Sequence, residues 1–131
     1  MSTRPLSPHL TVYRMSRYTL ATSFFNRVTG VGLSAGLPLL VYWLVSIAGG
    51  PRAYGQAQRL FGLPLMRLVY AGLIVAFCYH LLAGLRHLVW DTGHGLERSQ
   101  SRRSAYLIVV LSIALMLLLA YGAWRAVVRA L

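Results

Sequence analysis

A stripe of polar side chains runs down one face of a predicted helix in the second half of the chain. At about 100° per residue, His80, Gly84, His87 and Asp91 fall within roughly 60° of one another. His80 lies inside an apolar run, residues 68–85, that contains no Arg, Asp or Glu. A polar ring at membrane depth is costly unless it faces protein, water or a metal, so His80 is a candidate functional residue. Gly84, one turn further on, leaves space beside the imidazole for a flat group.

The position of His80 allows two interpretations. In the first, the ring hydrogen-bonds to a neighbouring helix and fixes packing. In the second, a neutral ring nitrogen binds the iron of a b-type haem while an acceptor holds the other nitrogen. His87 projects from the same helix face about 10 Å further along, so His80 and His87 cannot flank a single iron. His9 and His94 lie in polar segments, and a haem with two histidine ligands would therefore need a partner subunit.

Two pairs of polar residues are expected at one face of the membrane. His87 and Asp91 are four residues apart, a spacing that suits either a pair holding the helix end or a proton relay. Ser23 and Arg27 have the same spacing in an earlier helix, with Asn26 beside them. Arg27 alone would anchor the helix at the headgroups. Together, the hydroxyl and the guanidinium suit the carbonyl oxygen of a quinone or a haem propionate.

Composition indicates the kind of protein that positions these residues. The chain has 131 residues, of which 57% are hydrophobic, and its only acids are Asp91 and Glu97. That balance is typical of a membrane protein rather than a soluble domain. All 13 basic residues are Arg and are scattered between apolar runs, which suits lipid headgroups and argues against a nucleic-acid partner. The single cysteine, Cys78, excludes an internal disulfide and is interpreted as an apolar filler.

The sequence predicts an all-α membrane protein with three transmembrane helices in a single domain, residues 1–131. A polar segment, residues 1–18, precedes the first helix because its prolines and arginines exclude a span. Residues 52–67 carry three Arg and a Gly62-Leu63-Pro64 break, and are predicted to be an interfacial connector. The helices that contain the spans are predicted over about 19–48, 68–91 and 104–124.

The distribution of arginines predicts the orientation. The N-terminal segment and the second loop share one side of the membrane and hold eight of the 13 Arg, against five on the other side. The side with more arginines is expected to be cytoplasmic, which puts the N-terminus there and the C-terminus on the outer side of the membrane. The eight are Arg4, Arg14, Arg17, Arg27, Arg86, Arg98, Arg102 and Arg103.

Three motifs resemble, in order and spacing, the cytochrome b556 subunit of succinate dehydrogenase. The resemblance runs from residue 4 to the end of the third predicted span. The motifs are Arg4-Pro5-Leu6-Ser7-Pro8-His9-Leu10-Thr11-Val12-Tyr13, Ser23-Phe24-Phe25-Asn26-Arg27-Val28-Thr29-Gly30 and His80-Leu81-Leu82-Ala83-Gly84-Leu85-Arg86-His87-Leu88-Val89-Trp90-Asp91.

In that family the subunit is one of two small membrane anchors of respiratory complex II, which hold a flavoprotein and an iron-sulfur subunit. The resemblance implies a helical bundle formed with the second anchor, a haem b shared between the two, and ubiquinone as substrate. The anchors themselves do not oxidise succinate, so this chain is expected to be non-catalytic alone and to contribute to the quinone-reduction site.

The resemblance also assigns roles to single residues. It makes His80 the axial haem ligand from this chain, with the other ligand from the second anchor. Ser23 and Arg27 match quinone-site residues, and Arg27 also matches a neighbour of a haem propionate. Asn26 stands where many members have a histidine, and is expected to be a propionate neighbour that carries no charge.

Two alternative functions stay open at this point. One is the haem b anchor of a fumarate reductase or another quinone-linked oxidoreductase. The other is a non-redox small membrane assembly subunit, in which His80 is a packing hydrogen bonder and Arg27 a headgroup anchor. His87 and Asp91 remain candidates for hydrogen bonds beside a haem ligand or for a proton path in either redox function.

Overall fold

The computed structural model describes residues 17–130, except for the side chains of residues 126, 127 and 130, and this part of the chain is helical. Three of its helices are long and apolar enough to cross a membrane, which confirms the predicted all-α membrane fold. Residues 1–16 of the predicted N-terminal segment lie outside the described range. The elements are α1 (Arg17–Ala48), α2 (Gly50–Phe61), α3 (Pro64–Asp91) and α4 (Arg98–Ala130).

Three of these helices extend beyond the predicted apolar spans. α1 begins at Arg17 rather than near residue 19, and α3 begins at Pro64 rather than near residue 68. α4 begins at Arg98 rather than near residue 104. Charged residues end the apolar run but leave the backbone hydrogen bonds intact, so a helix continues into the headgroup region. Pro64 suits the first turn of α3 because its nitrogen needs no helical acceptor there.

The predicted interfacial connector contains the short helix α2. Gly50 has φ +84°, a conformation that glycine adopts without strain, and it reverses the chain between α1 and α2. Ala57 is fully buried on one face of α2. The Phe61 ring lies 5.8 Å from that of Tyr42 in α1 and 6.2 Å from that of Tyr70 in α3. These aromatic contacts hold the end of α2 against both long helices.

α3 is the central helix, since it packs most extensively against α1 on one side and α4 on the other. Small buried residues, including Cys78, Ala83 and Ala105, lie in its part of the bundle and permit close approach of the backbones. Large apolar side chains remain exposed on the long helices, among them Leu68 and Leu118. Such surfaces are typical of helices that face lipid or further helices.

The loop after α3 returns the chain so that α4 packs beside it. α3 ends at Asp91, the same residue at which the predicted second helix ends. The indole Nε1 of Trp90 donates a hydrogen bond of 3.1 Å to the carbonyl oxygen of Gly95. This hydrogen bond closes the loop and places the first turns of α4, with Ser101 and Ser104, beside the last turns of α3.

Candidate functional site

The imidazole of His80 is fixed against α1 through one ring nitrogen. Its Nδ1 lies 3.1 Å from the backbone carbonyl oxygen of Asn26 and 3.3 Å from Oγ1 of Thr29. A carbonyl only accepts, and Thr29 places its hydroxyl 2.7 Å from the carbonyl oxygen of Phe25, to which it donates. Nδ1 therefore carries the proton and donates to α1. In the neutral ring with this hydrogen bond, Nε2 keeps its lone pair, which is the form that binds a metal.

Gly30 provides the contact surface for this ring. A Cβ atom built on Gly30 would lie 3.0 Å from Cε1 of His80. That distance is too short for a relaxed contact, so an alanine would push the imidazole away from α1. Gly30 thus allows the ring to lie close to the α1 backbone, one turn beyond the Asn26 carbonyl that accepts its hydrogen bond.

His80 lines an open groove of about 740 Å³ between α1 and α3. The walls are mainly apolar, and the polar side chain of Ser34 joins His80 among them. A Cβ built on Gly84 would meet nothing within 4 Å, so this glycine faces open space, but it is not among the residues that line the groove. The other groove residues are Gly30, Leu33, Gly36, Leu37, Leu40, Tyr70, Leu73, Ile74 and Phe77.

Ser23, Asn26 and Arg27 lie in the same turns of α1 without forming a side-chain network among the described residues. Ser23 is half-buried and Arg27 is exposed. Oδ1 of Asn26 is enclosed and has no hydrogen-bond partner within the described part of the chain. A buried polar atom without a partner is costly, so this position calls for a donor that these residues do not supply.

His87 and Asp91 are not brought together. Nδ1 of His87 lies 2.7 Å from the carbonyl oxygen of Ala83, one turn back in the same helix. The His87 ring packs edge-on against Trp90 at 5.2 Å, whereas Asp91 is exposed. The expected pair at the helix end is therefore not formed, and Nδ1 of His87 donates instead to the nearer backbone carbonyl. A proton path through these residues stays a prediction.

Arg86, which lies between His80 and His87 in α3, is the main polar link among the three long helices. Arg86 is only 6% exposed. Its Nε donates to Oγ of Ser104 at 2.9 Å, and its Nη1 donates to Oγ1 of Thr22 at 3.2 Å. Its Nη2 donates to the carbonyl oxygen and to Oγ of Ser101, at 2.8 and 3.1 Å. The guanidinium also lies 4.0 Å from the centre of the Trp90 ring.

Thr22 connects this arginine to the His80 side of the bundle. Its backbone carbonyl accepts a hydrogen bond of 3.1 Å from the Tyr79 hydroxyl, while its own hydroxyl accepts from Arg86. Asn26 lies one turn further along α1 and accepts from His80. Two successive turns of α1 are thus tied to three residues of α3, which fixes the helix pair where the candidate site lies.

Sequence reasoning missed roles for Arg86, Thr22, Thr29 and Gly30. Arg86 was counted only as a topology signal, although a charge so close to an apolar run already suggests a buried partner. A repeat of small or polar residues at every fourth position of α1 would have indicated a close helix contact. The repeat consists of Thr22, Asn26, Gly30 and Ser34.

Fold and site together define a class of protein. It is a small helical membrane subunit that offers one oriented imidazole nitrogen and one wall of an apolar groove. Such a wall is completed by another subunit or by lipid, because the groove is open on the side away from α1 and α3.

Comparison with known proteins identifies the family. The model of the succinate dehydrogenase/fumarate reductase transmembrane subunit family matches residues 1–119. The cytochrome b556 subunit of succinate dehydrogenase from Paracoccus denitrificans is 42% identical over 115 residues, 88% of each chain. The Rickettsia typhi cytochrome b556 subunit is 35% identical over 88% of this chain and 90% of its own. The human mitochondrial cytochrome b560 subunit is 35% identical over 86% of this chain and 67% of its own.

The chain belongs to the succinate dehydrogenase cytochrome b556 subunit family, the membrane anchors of complex II. The resemblance carried by the three sequence motifs is thereby confirmed. This membership also separates the chain from the alternative of a non-redox assembly subunit.

Proposed function

We propose that His80 binds the iron of a b-type haem through Nε2, within a site that this chain shares with a second membrane-anchor subunit. The observation that carries this proposal is the hydrogen bond from Nδ1 to the Asn26 carbonyl, which orients the ring and leaves Nε2 as a donor of electrons to a metal. The relatives bear the name cytochrome b, which denotes a haem protein.

The residues of the groove fit such a group. The groove volume of about 740 Å³ lies within the range of cofactor pockets, roughly 300–1,000 Å³. Its apolar walls suit a porphyrin ring, and the open space beside Gly84 lets a flat group approach α3. The exposed guanidinium of Arg27 is available to donate to a propionate. At Asn26 that role falls to the Nδ2 amide group, because its enclosed Oδ1 only accepts.

Haem, when bound here, supplies a one-electron carrier within the membrane. The residues of this chain would orient the ligand ring and shield the haem from water. His80 lines the groove, Gly30 permits its ring to lie against α1, and apolar side chains such as Phe77 form the walls that would exclude water around a bound haem. A second protein ligand for such a haem would come from the partner anchor, because His87 is on the same helix as His80 and is hydrogen-bonded to its own backbone.

Ser23 and Arg27 are proposed to bind ubiquinone. Both side chains lack a hydrogen-bond partner among the described residues, so each can donate to a quinone carbonyl oxygen. Arg27 donates with a full charge and is expected to contribute more than the Ser23 hydroxyl. Their position in the first turns of α1 supports a quinone site near the membrane surface rather than in mid-membrane.

The partners and orientation of the subunit follow from the same assignment. An iron-sulfur subunit and a flavoprotein subunit are proposed to dock on the cytoplasmic face, on the side of the N-terminus. Eight arginines against five support that orientation in a bacterial inner membrane, because an excess of arginine marks the cytoplasmic side. Electrons then pass from succinate, through the peripheral subunits, to ubiquinone.

The proposal is tested on the purified complex that contains this chain. A dithionite-reduced minus oxidised spectrum should show a b-type band, and succinate should reduce both ubiquinone and an artificial acceptor. A complex without a b-type band would refute the haem assignment. The fumarate reductase alternative predicts faster fumarate reduction with a reduced quinone than succinate oxidation in the same preparation.

A further inference from the structure

Within residues 17–130, no carboxylate contacts the charge on Arg86. Its hydrogen-bond acceptors are two serines of α4 and Thr22 of α1, all of them neutral. The two acids of the chain, Asp91 and Glu97, are exposed and form no ion pair with it among the described residues. Burial of a cation without a counter-charge is costly, and hydrogen bonds to neutral oxygens offset only part of that cost.

This guanidinium is also closed to subunits outside the chain. Arg86 is 6% exposed, and its donor groups point at Thr22, Ser101 and Ser104 inside the bundle. The ring of Trp90 covers one face at 4.0 Å. The described residues therefore leave a carboxylate from a partner subunit little open surface through which to reach it.

The charge lies close enough to His80 to act on a metal bound there. The two residues are six positions apart in α3, which corresponds to about 9 Å of helical rise. At such distances a unit charge in a poorly polar medium has a much larger effect than in water. A positive charge stabilises the ferrous form of a haem relative to the ferric form, because reduction lowers the positive charge on the iron.

We propose that Arg86 is a buried electrostatic determinant of the haem site, which raises the midpoint potential of the haem bound at His80. The inference rests on the proposed haem ligation by His80. It assigns to Arg86 an influence that comes from its charge, in addition to the hydrogen bonds by which it joins the three helices.

Charge and hydrogen bonding are separated by three substitutions, assayed as redox titrations of the b-type band in the intact complex. Arg86→Met and Arg86→Gln remove the charge, and both should shift the midpoint potential downward. Arg86→Lys keeps the charge but loses the several hydrogen bonds of the guanidinium, and its midpoint potential should stay near the parent value. Arg67→Met removes an exposed arginine from the far end of the same helix and serves as the matched control.

A second pair of variants keeps Arg86 itself. Ser104→Asp places a carboxylate beside Nε, where the serine hydroxyl now accepts at 2.9 Å, and should also lower the potential. Ser104→Asn is its neutral counterpart and should leave the potential near the parent value. This pair tests the charge even if the neutral substitutions of Arg86 prevent haem incorporation.

The results separate this inference from the function on which it rests. A midpoint potential that is the same in the parent, the neutral Arg86 variants and Ser104→Asp overturns the inference. Equal shifts in Arg86→Lys and Arg86→Met also overturn it, since they would trace the effect to packing. Persistence of an unchanged b-type band in His80→Ala would instead refute the haem assignment itself.

Discussion

The Nδ1 atom of His80 lies 3.1 Å from the backbone carbonyl oxygen of Asn26, so α1 holds the imidazole through its main chain. A main-chain acceptor is present whatever side chain stands at position 26. Replacement of Asn26 should therefore leave the ring orientation unchanged, while it alters the groups available to a propionate. The position of the ring depends more on Gly30 than on the side chain of residue 26, because a Cβ at Gly30 would meet Cε1 of His80.

Gly30→Ala should weaken the haem site. Its new methyl group would lie 3.0 Å from Cε1 of His80, and overpacking of this kind typically costs about 1–3 kcal/mol. We expect a lower haem content per complex or an altered b-type spectrum. Gly32→Ala is the matched control, because a Cβ there meets nothing within 4 Å and both variants gain the same helix propensity. Equal haem content and identical spectra in the two variants would contradict the proposed contact.

Ser23→Ala and Arg27→Leu should impair quinone reduction more than succinate oxidation by an artificial acceptor. Each removes a proposed hydrogen bond to the quinone, and a charged donor contributes roughly 1.5–3 kcal/mol, so Arg27 should have the larger effect. The measurement is the ratio of quinone-linked to artificial-acceptor activity at equal complex content.

The controls for this ratio lie in the same helix. Arg17→Leu removes another exposed arginine of α1 and should leave the ratio unchanged. Asn26→His should keep quinone turnover near the parent level if Asn26 is only a propionate neighbour. An unchanged ratio in both Ser23→Ala and Arg27→Leu would mean that the quinone does not bind at this end of α1.

Ser104→Ala should destabilise the bundle. It removes the acceptor for Nε of Arg86 and leaves a buried charged donor unpaired, a loss of about 1.5–3 kcal/mol. Thermal unfolding of the purified complex should therefore begin at a lower temperature than in Ser99→Ala, where the serine is exposed. Matching unfolding temperatures for the two variants would show that the Arg86 contacts do not hold α3 and α4 together.

The orientation is predicted to be N-terminus cytoplasmic and C-terminus periplasmic. The excess of arginines on the N-terminal side, eight against five, is the physical reason. A C-terminal fusion to a reporter that is active only in the periplasm should be active, and a fusion after residue 95 should be inactive. Activity of a cytoplasm-specific reporter at the C-terminus would rule this topology out.

The three spans and the place of His80 could be predicted because they depend on local sequence. Long uncharged runs give the spans, and the one histidine inside such a run lines the groove. The open space at Gly84 was predictable for the same reason, since a missing side chain is a property of one residue.

Contacts that depend on the relative register of two helices could not be predicted. The acceptor for His80 is a backbone oxygen of α1, which leaves no trace in residue type. Burial of Arg86 requires the first turns of α4, whose start the apolar run alone places near residue 104 instead of Arg98. For His87 and Asp91, the spacing predicted a pair that the structure does not form. Nδ1 of His87 donates instead to the carbonyl oxygen of Ala83.

The haem content of complexes that carry His80→Ala tests the central claim most directly. We predict loss of the b-type band, or a strongly reduced haem-to-complex ratio, while succinate oxidation by an artificial acceptor continues in the peripheral subunits. His87→Ala, on the same face of α3, should retain its haem because that ring is hydrogen-bonded to Ala83. An unchanged haem ratio and an unchanged spectrum in His80→Ala would contradict the assignment of His80 as the ligand.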